Sequence, residues 1–442
     1  MMSDVIIIGG GLSGLAAAVE LATRGAKVTL YEQSLKLGGR CYSYTDETTG
    51  DVVDNGQHVL VGAYHNTLRY LEMIGTRSFL KEQTKLELPF YHPEKGFSTF
   101  KVSSLPKPLD LTAGMLQFSL LSFGERMKLL NVGLDLQTWD ATKEESLKSL
   151  SIDQWLTGLK QSDEAKKCFW NPIAVSVMNE LPEQASALLF ARSLRATFLG
   201  KKSDSAILVP TIGQTELYVH GAEELLKKHK ASVYINKGVE RIVFERGKVL
   251  GVEVEGKVVN ADAVVSSVPY FAIPALIGEH VNIIPSLDDV GKFKSVPIVS
   301  IHCWFDKEFM DYDFVGLIDL KLQWVFNRRR LMNESGKKTS YISAVISGAY
   351  ETVGMSKDEL VRLAIEDLQK SFPKCKEATL VHSVVIKEKR ATFSSSNDIE
   401  DFRPNTETGI KNLFLAGDWT NTGLPATIEG AVGSGFRVAE YF

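Results

Sequence analysis

Three glycines near the start of the chain, Gly9, Gly11 and Gly14, have the spacing Gly-x-Gly-x-x-Gly. Their surroundings give that spacing a chemical meaning. Ahead of them, Asp4–Ile8 is a β-branched run suited to a buried parallel strand. Behind them, "LSGLAAAVELATRG" has the Ala and Leu content of a helix. Leu12 and Ser13 open it, and Gly25 stands where a C-terminal cap belongs. The next segment, "AKVTLYE", reads as a strand ending at Glu32. Together these make a βαβ unit of about 30 residues. In such a unit the first glycine makes the turn, the second lets the backbone approach a pyrophosphate, and the third lets helix and strand pack. The N–H groups at the helix N-terminus face the phosphates. Glu32 stands where a carboxylate accepts the hydroxyls of an adenosine ribose. The expectation is a dinucleotide site.

The spacing alone does not separate NAD from FAD. Gly38, Gly39 and Arg40 follow a few residues after Glu32 and add a second close backbone approach with a cation for phosphates. "GGGLSG…YEQSLKLGGR" resembles the FAD-dependent amine oxidase and phytoene desaturase superfamily. "VDNGQHVLVGAYHNTLRYL" and "NLFLAGDWTNTGLPATIEGAVGSG" fit the same family. The resemblance implies FAD as cofactor, with Gly417 and Asp418 returning to the first domain to hold its ribityl or pyrophosphate region. It implies that a helix near Ala426, opening at Thr427 and Ile428, points its N-terminus at the flavin pyrimidine ring. That placement suits the negative charge of reduced flavin near N1 and O2. It also implies that Gly56, Gln57 and His58 lie in a flavin-facing loop and that Val239, in "GVERI", contacts adenine. Neither Cys41 nor His58 is marked as a covalent attachment point.

Within the superfamily, "DNGQHVLVGAYHNTL", "LPEQASALLFARSLRATFLG" and "LFLAGDWTNTGLPATIEGAV" resemble the hydroxysqualene dehydroxylase family. "WNPIAVSVMNE" departs from that family's usual W-x-P-L-x-x-A-A-L-N, and residues 275–400 carry little of the likeness. The resemblance implies a polyprenyl or triterpene substrate whose allylic hydroxyl is removed reductively, and an unidentified electron donor for the flavin. Such chemistry needs an acid for the leaving oxygen and a dry site. His58 is the first candidate acid, with Asp54 and Glu216 behind it. Asp54 is also expected to order its own loop through an Asx-type bond. Alternatives remain: a carotenoid or squalene desaturase running the flavin oxidatively, a flavin amine oxidase, or a non-catalytic FAD- or lipid-binding protein. Against the amine oxidase, Thr427 stands where that family has an aromatic residue.

The elements that must position these residues come from the whole chain. At 442 residues the chain is long enough for two joined domains. The expected fold class is α/β: a Rossmann-like FAD-binding domain (parallel sheet plus antiparallel meander) with an interleaved α+β substrate domain. The expected segments are 1–75, 205–290 and 395–442 for the first and 76–204 and 291–394 for the second. "ASVYI", "VERIVFE", "KVLGVEVEGKVV" and "ADAVVSSVP" are expected to form the meander. "PIVSIHCWF", "YISAVIS" and "ATLVHSVVI" read as a second sheet, with a helix near Ser356–Ser371. The region from Leu105 to Trp170 reads as mostly helical. Its apolar stretch, Leu109–Leu130, is either a core helix or a face on a membrane surface.

Composition excludes other classes. A net charge of −4 and a pI of about 6.1 give no basic face for nucleic acid. Mean hydropathy is −0.03, without an apolar run that could span a bilayer. Cys41, Cys168, Cys303 and Cys375 are scattered, so no metal site or disulfide framework is expected. With no leader pattern at "DVIIIGG", the expected home is the cytoplasm, with a possible peripheral contact at the membrane face.

Overall fold

The computed structural model describes residues 3–103, 105, 109–278, 284, 287, 289–334 and 336–442. Its first layer is a five-stranded sheet in the order Ser232–Tyr234, Lys27–Tyr31, Asp4–Ile8, Ala263–Ser266, Leu413–Leu415. All neighbours are parallel. Ile7 pairs with Leu30 on one side and Val265 on the other. The central strands are apolar on both faces because helices or loops cover both, and Val5, Ile7, Val264 and Val265 are fully buried. The strand nearest the C-terminus closes the edge, so both ends of the chain build one sheet.

On one face of this sheet the helices Leu12–Thr23 and Ile428–Val438 pack together. A Cβ at Gly435 would lie 2.3 Å from the Ser13 carbonyl oxygen, so only glycine permits this approach. A second clamp is electrostatic. The buried Glu429 carboxylate accepts four hydrogen bonds, from the backbone and side chains of Asn66 and Thr67, each at 2.8–2.9 Å. It thereby caps the helix His65–Met73 from outside.

The meander differs from expectation. It has three strands, Arg241–Glu245, Lys248–Val254 and Lys257–Asn260. "ASVYI" and "ADAVVSS" join the parallel sheet instead. The latter is buried at all four strand positions, as a doubly covered central strand must be. The exposed residues of Lys257–Asn260 mark a solvated antiparallel strand.

The second sheet has seven strands, ordered Leu380–Phe393, Ser295–Phe305, Ser340–Ile346, Trp324–Asn327, Phe314–Leu317, Glu87–His92, Gly96–Lys101. All pairs are antiparallel except Phe314–Leu317 with Glu87–His92. A helical layer between residues 109 and 198 packs on it through aromatic rings. Phe118 lies 5.9 Å from Phe90 and 5.4 Å from Phe169, and Phe169 lies 5.2 Å from Phe100. Capping boxes at Ser122/Glu125, Ser151/Gln154 and Ser356/Glu359 start three helices.

The apolar stretch Leu109–Leu130 is partly core and partly exposed. Phe118, Leu120, Leu121 and Leu129 are core, while Leu109, Phe123 and Met127 are exposed. Among the described residues no helix is long and apolar enough to cross a membrane. All four cysteines are free and buried.

Candidate active site

The glycine turn lies at the carboxyl end of the strand Asp4–Ile8, beside the strand Lys27–Tyr31. Gly9 has φ +103°. A Cβ at Gly14 would fall 2.0 Å from the Gly9 carbonyl oxygen, so turn and helix meet backbone to backbone. Gly11 is the opposite case: a Cβ there would meet nothing within 4 Å. It is the N-cap of the helix Leu12–Thr23, so open space lies in front of a helix N-terminus without a capping side chain. Glu32 closes the turn from the next strand. Its carboxylate accepts the N–H groups of Gly10 and Ser34, both at 2.7 Å.

Gly38 and Gly39 lie against this turn. Gly38 donates its N–H to the Gly10 carbonyl at 2.8 Å, and a Cβ at Gly39 would reach 3.1 Å from the Gly11 Cα. Arg40 then meets Asp418, donating to both carboxylate oxygens at 2.9 Å. The pair joins the two ends of the chain. Beside it a cleft of about 310 Å³ is walled by Tyr270, Phe271, Arg390, Phe393 and Trp419. Gly417 has φ +144°, and its N–H donates to Ser434 of the C-terminal helix at 2.8 Å. Thr427 caps that helix by accepting the Gly430 N–H at 3.1 Å, and Ile428 is its first residue. Val239 lies on a segment that runs beside Glu32: the Lys237 N–H donates to the Glu32 carbonyl, and a Cβ at Gly238 would sit 3.5 Å from the Gln33 Cβ.

The loop 54–58 reaches this place through Asn55, which donates to the Arg40 carbonyl at 2.9 Å. His58 Nδ1 is 4.0 Å from Cys41 Sγ. His58 is half-buried as a residue, and burial and the Arg40 charge lower its pKa to about 4, against a favourable Gln214 hydrogen bond. It is therefore neutral at pH 7. Burial pushes the Cys41 thiol up to about 12, so it is not a nucleophile.

Two expectations about acids need correction. Asp54 makes no local Asx bond. It accepts the Gln214 backbone N–H at 3.1 Å and pairs with Arg328 at 2.8 Å, both partners being fully buried. Burial raises its pKa against the Arg328 charge. Glu216 is exposed; the residue of that segment that faces the loop is Gln214. Arg328 and Gln214 were not expected from the sequence. The only signal in the sequence was the run Arg328–Arg330 directly after the apolar segment "WVFN"; two of these arginines are fully buried.

His92, Glu164 and Cys168 bring possible ligand atoms within 4.8 Å of one another. Protein groups already use them: Lys95 binds Glu164, and His92 Nδ1 accepts the Glu94 N–H at 3.1 Å.

Taken together, a parallel sheet with a glycine turn, an acid on the second strand and a helix N-terminus fronted by open space define a dinucleotide-dependent oxidoreductase. The residues fit FAD: a Cβ at Gly11 would meet no protein atom within 4 Å, which leaves room for a pyrophosphate at the uncapped helix N-terminus. Residues 12–441 match the family described as flavin containing amine oxidoreductase, and the chain belongs to that family. It is an FAD-dependent oxidoreductase. Over 449 residues it is 28% identical to the hydroxysqualene dehydroxylase of Sinorhizobium fredii, covering 100% of this chain and 98% of the relative. It is 24% identical over 454 residues to the 15-cis-phytoene desaturase of Synechococcus elongatus, covering 99% and 95%. Its fold matches the crystal structure of an oxidoreductase from Methanosarcina mazei with a TM-score of 0.77 at 17% identity, covering 99% and 100%.

Proposed function

We propose that this protein reductively removes the allylic hydroxyl of hydroxysqualene to give squalene. The observation that carries this reading is the end-to-end likeness to hydroxysqualene dehydroxylase, with 98% of that relative covered. Segments 1–75, 205–290 and 395–442 would hold the cofactor, and 76–204 and 291–394 the substrate. The glycine turn, Glu32 and Val239 would hold the ADP half of FAD, and Gly417, Asp418, Thr427 and Ile428 the flavin half. When bound and reduced, FAD supplies the hydride; an external donor, set neither by fold nor by motif, renews it. The chain's own tasks are to seat the hydroxyl, hand it a proton so that it leaves as water, and keep other water out. The cleft walls Tyr270, Phe271, Phe393 and Trp419 suit the last task. His58 as proton donor must first be charged. Turnover limited by it should rise as pH falls toward 4.

The test is anaerobic. Photoreduced protein mixed with hydroxysqualene should be reoxidised and yield squalene, while oxidised protein should not be bleached by squalene or phytoene. His58→Ala should slow the first process if His58 supplies the proton. The second reading, an oxidative desaturase, is favoured by the phytoene desaturase likeness. Bleaching by a polyprenyl hydrocarbon, with the alcohol ignored, would establish it instead.

A substrate that lives in lipid calls for a membrane contact. Phe123, Met127 and Leu134 are 67%, 44% and 63% exposed at helical spacing on Phe123–Gln137. The opposite face of that helix buries Leu129, Val132 and Leu136. We expect this outer stripe to rest in the lipid interface. The double variant Phe123→Asp, Leu134→Asp should co-sediment with phospholipid vesicles at least about tenfold less, since each inserted side chain contributes about 1.5–3 kcal/mol. Equal sedimentation would remove this face from membrane binding.

A further inference from the structure

Gln214 is fastened at both its backbone and its side chain beside the loop 54–58. Its backbone N–H donates to Asp54 Oδ1 at 3.1 Å, and its Nε2 donates to the Gly56 carbonyl. The next residue, Thr215, exchanges two hydrogen bonds with Ser43. The Thr215 hydroxyl accepts the Ser43 N–H at 2.8 Å, and the Thr215 N–H donates to the Ser43 hydroxyl at 3.1 Å. Asp54 in turn pairs with Arg328 at 2.8 Å, and Arg328 also donates to Gln57. Gln214 is 1% exposed, so water does not replace a broken bond. Its amide cannot be turned round without taking the donor away from the Gly56 carbonyl.

The locked amide leaves its oxygen for one neighbour. Oε1 has no other partner among the described residues, and the Gln214 side chain hydrogen-bonds His58. An amide oxygen only accepts. The imidazole nitrogen in front of it must therefore carry a hydrogen, because a bare nitrogen there would set two lone pairs against each other. The other neighbours of the imidazole do not compete for this choice. His58 Nδ1 is 4.0 Å from Cys41 Sγ, and a thiol is a weak partner in either role. The Arg40 charge opposes a second hydrogen on the imidazole, but a guanidinium has no acceptor for the first. The tautomer of a histidine is set by the hydrogen bond that one of its nitrogens makes. Here that bond is the one to Gln214.

We propose that Gln214 is a positioning residue that fixes the tautomer of His58, so that the proton given to the leaving hydroxyl departs from the imidazole nitrogen opposite Gln214. This inference rests on the proposed dehydroxylation for the role of His58 as acid. The charged imidazole holds two hydrogens. One stays on the nitrogen facing Gln214, and the other passes to the hydroxyl oxygen, which leaves as water. The neutral imidazole that remains is already the tautomer that Gln214 holds, so no ring flip is needed before the next proton arrives. Asp54 and Arg328 act one step further out, by holding the Gln214 backbone.

The test uses the FAD-loaded full chain with ring-15N histidine. Long-range 1H–15N spectra at pH 7, with the His58 signals assigned by their loss in His58→Ala, should show one neutral tautomer in excess by at least about tenfold. Gln214→Leu should give a mixture of the two tautomers. Gln214→Glu, whose oxygen still accepts from the imidazole, should restore the single one. Both tautomers comparably populated in the wild type would overturn the lock, and this result needs no variant to fold. So would one unchanged tautomer in folded Gln214→Leu protein. In turnover, Gln214→Leu should lower kcat for hydroxysqualene at least about tenfold with little change in KM, and Gln214→Glu should recover part of it. An unchanged kcat in Gln214→Leu protein that shows the tautomer mixture would overturn the proton path. Wild-type protein that consumes no hydroxysqualene would sink the functional reading alone, and the spectra would still decide the lock.

Discussion

Gly11→Val and Asp418→Ala should each give a folded protein that loses most of its FAD during purification. The two changes act by different physics. Gly11 has φ −72°, which any residue adopts, and a Cβ there meets no protein atom within 4 Å. The fold therefore tolerates valine. The added side chain instead occupies the space in front of the helix N-terminus, where a pyrophosphate must come close to backbone N–H groups. Asp418 holds Arg40 through two 2.9 Å bonds, and Asp418 is itself buried. Removing it deprives Arg40 of its partner and the ligand of an acceptor. Losing a charged hydrogen bond costs about 1.5–3 kcal/mol, or roughly ten- to a hundredfold in affinity. The measurement is flavin absorbance per mole of folded protein, with circular dichroism as the folding control. Full FAD occupancy in folded Asp418→Ala protein would remove the C-terminal segment from the site.

What was legible in the sequence was local. Gly9 to Glu32 spans one βαβ unit, and its turn, helix and acid follow from spacing that neighbouring residues enforce. The return of Gly417 and Asp418 was legible only through resemblance, since nothing near residue 417 announces a partner at residue 40. Contacts without a local mark were missed. Gln57 and Arg328 are 271 positions apart, and Asp54 looked like a loop-ordering residue because its long-range partners are silent in sequence. Glu429 is similar, an acid in a helix whose carboxylate caps a different helix at Asn66 and Thr67. The meander was drawn too wide for another reason. "ADAVVSS" is apolar at successive positions, which is the mark of a strand covered on both faces, and that mark outranked its proximity to the meander.

The largest stability effect is expected at Asp51, away from the chemistry. Asp51 is 2% exposed and accepts from Arg329 Nη1 at 2.8 Å, Arg329 Nη2 at 2.6 Å and Trp304 Nε1 at 2.7 Å. Lys337 joins it from the following turn. Arg329 is buried too and also donates to the Thr339 carbonyl at 2.8 Å. These bonds fasten the short strand Val52–Asp54, and with it the loop 54–58, to the seven-stranded sheet. Asp51→Asn leaves a buried guanidinium partly uncompensated, which costs about 3–5 kcal/mol. The urea midpoint should fall accordingly, with little change in slope. Asp51→Leu with Arg329→Met should recover part of the loss, because replacing both charges removes the unpaired one. The pH dependence follows from the carboxyl group. Burial alone would raise its pKa, but the bonds from Arg329, Lys337 and Trp304 hold it well below the ordinary carboxylate range. A depressed folded pKa contributes stability above the unfolded value, about 3.9, and loses it as pH falls toward the folded one. The gap between wild type and Asp51→Asn should thus be full at neutral pH and shrink below about pH 4. An Asp51→Asn protein with the wild-type midpoint at neutral pH would mean that this ion cluster does not secure the loop to the sheet.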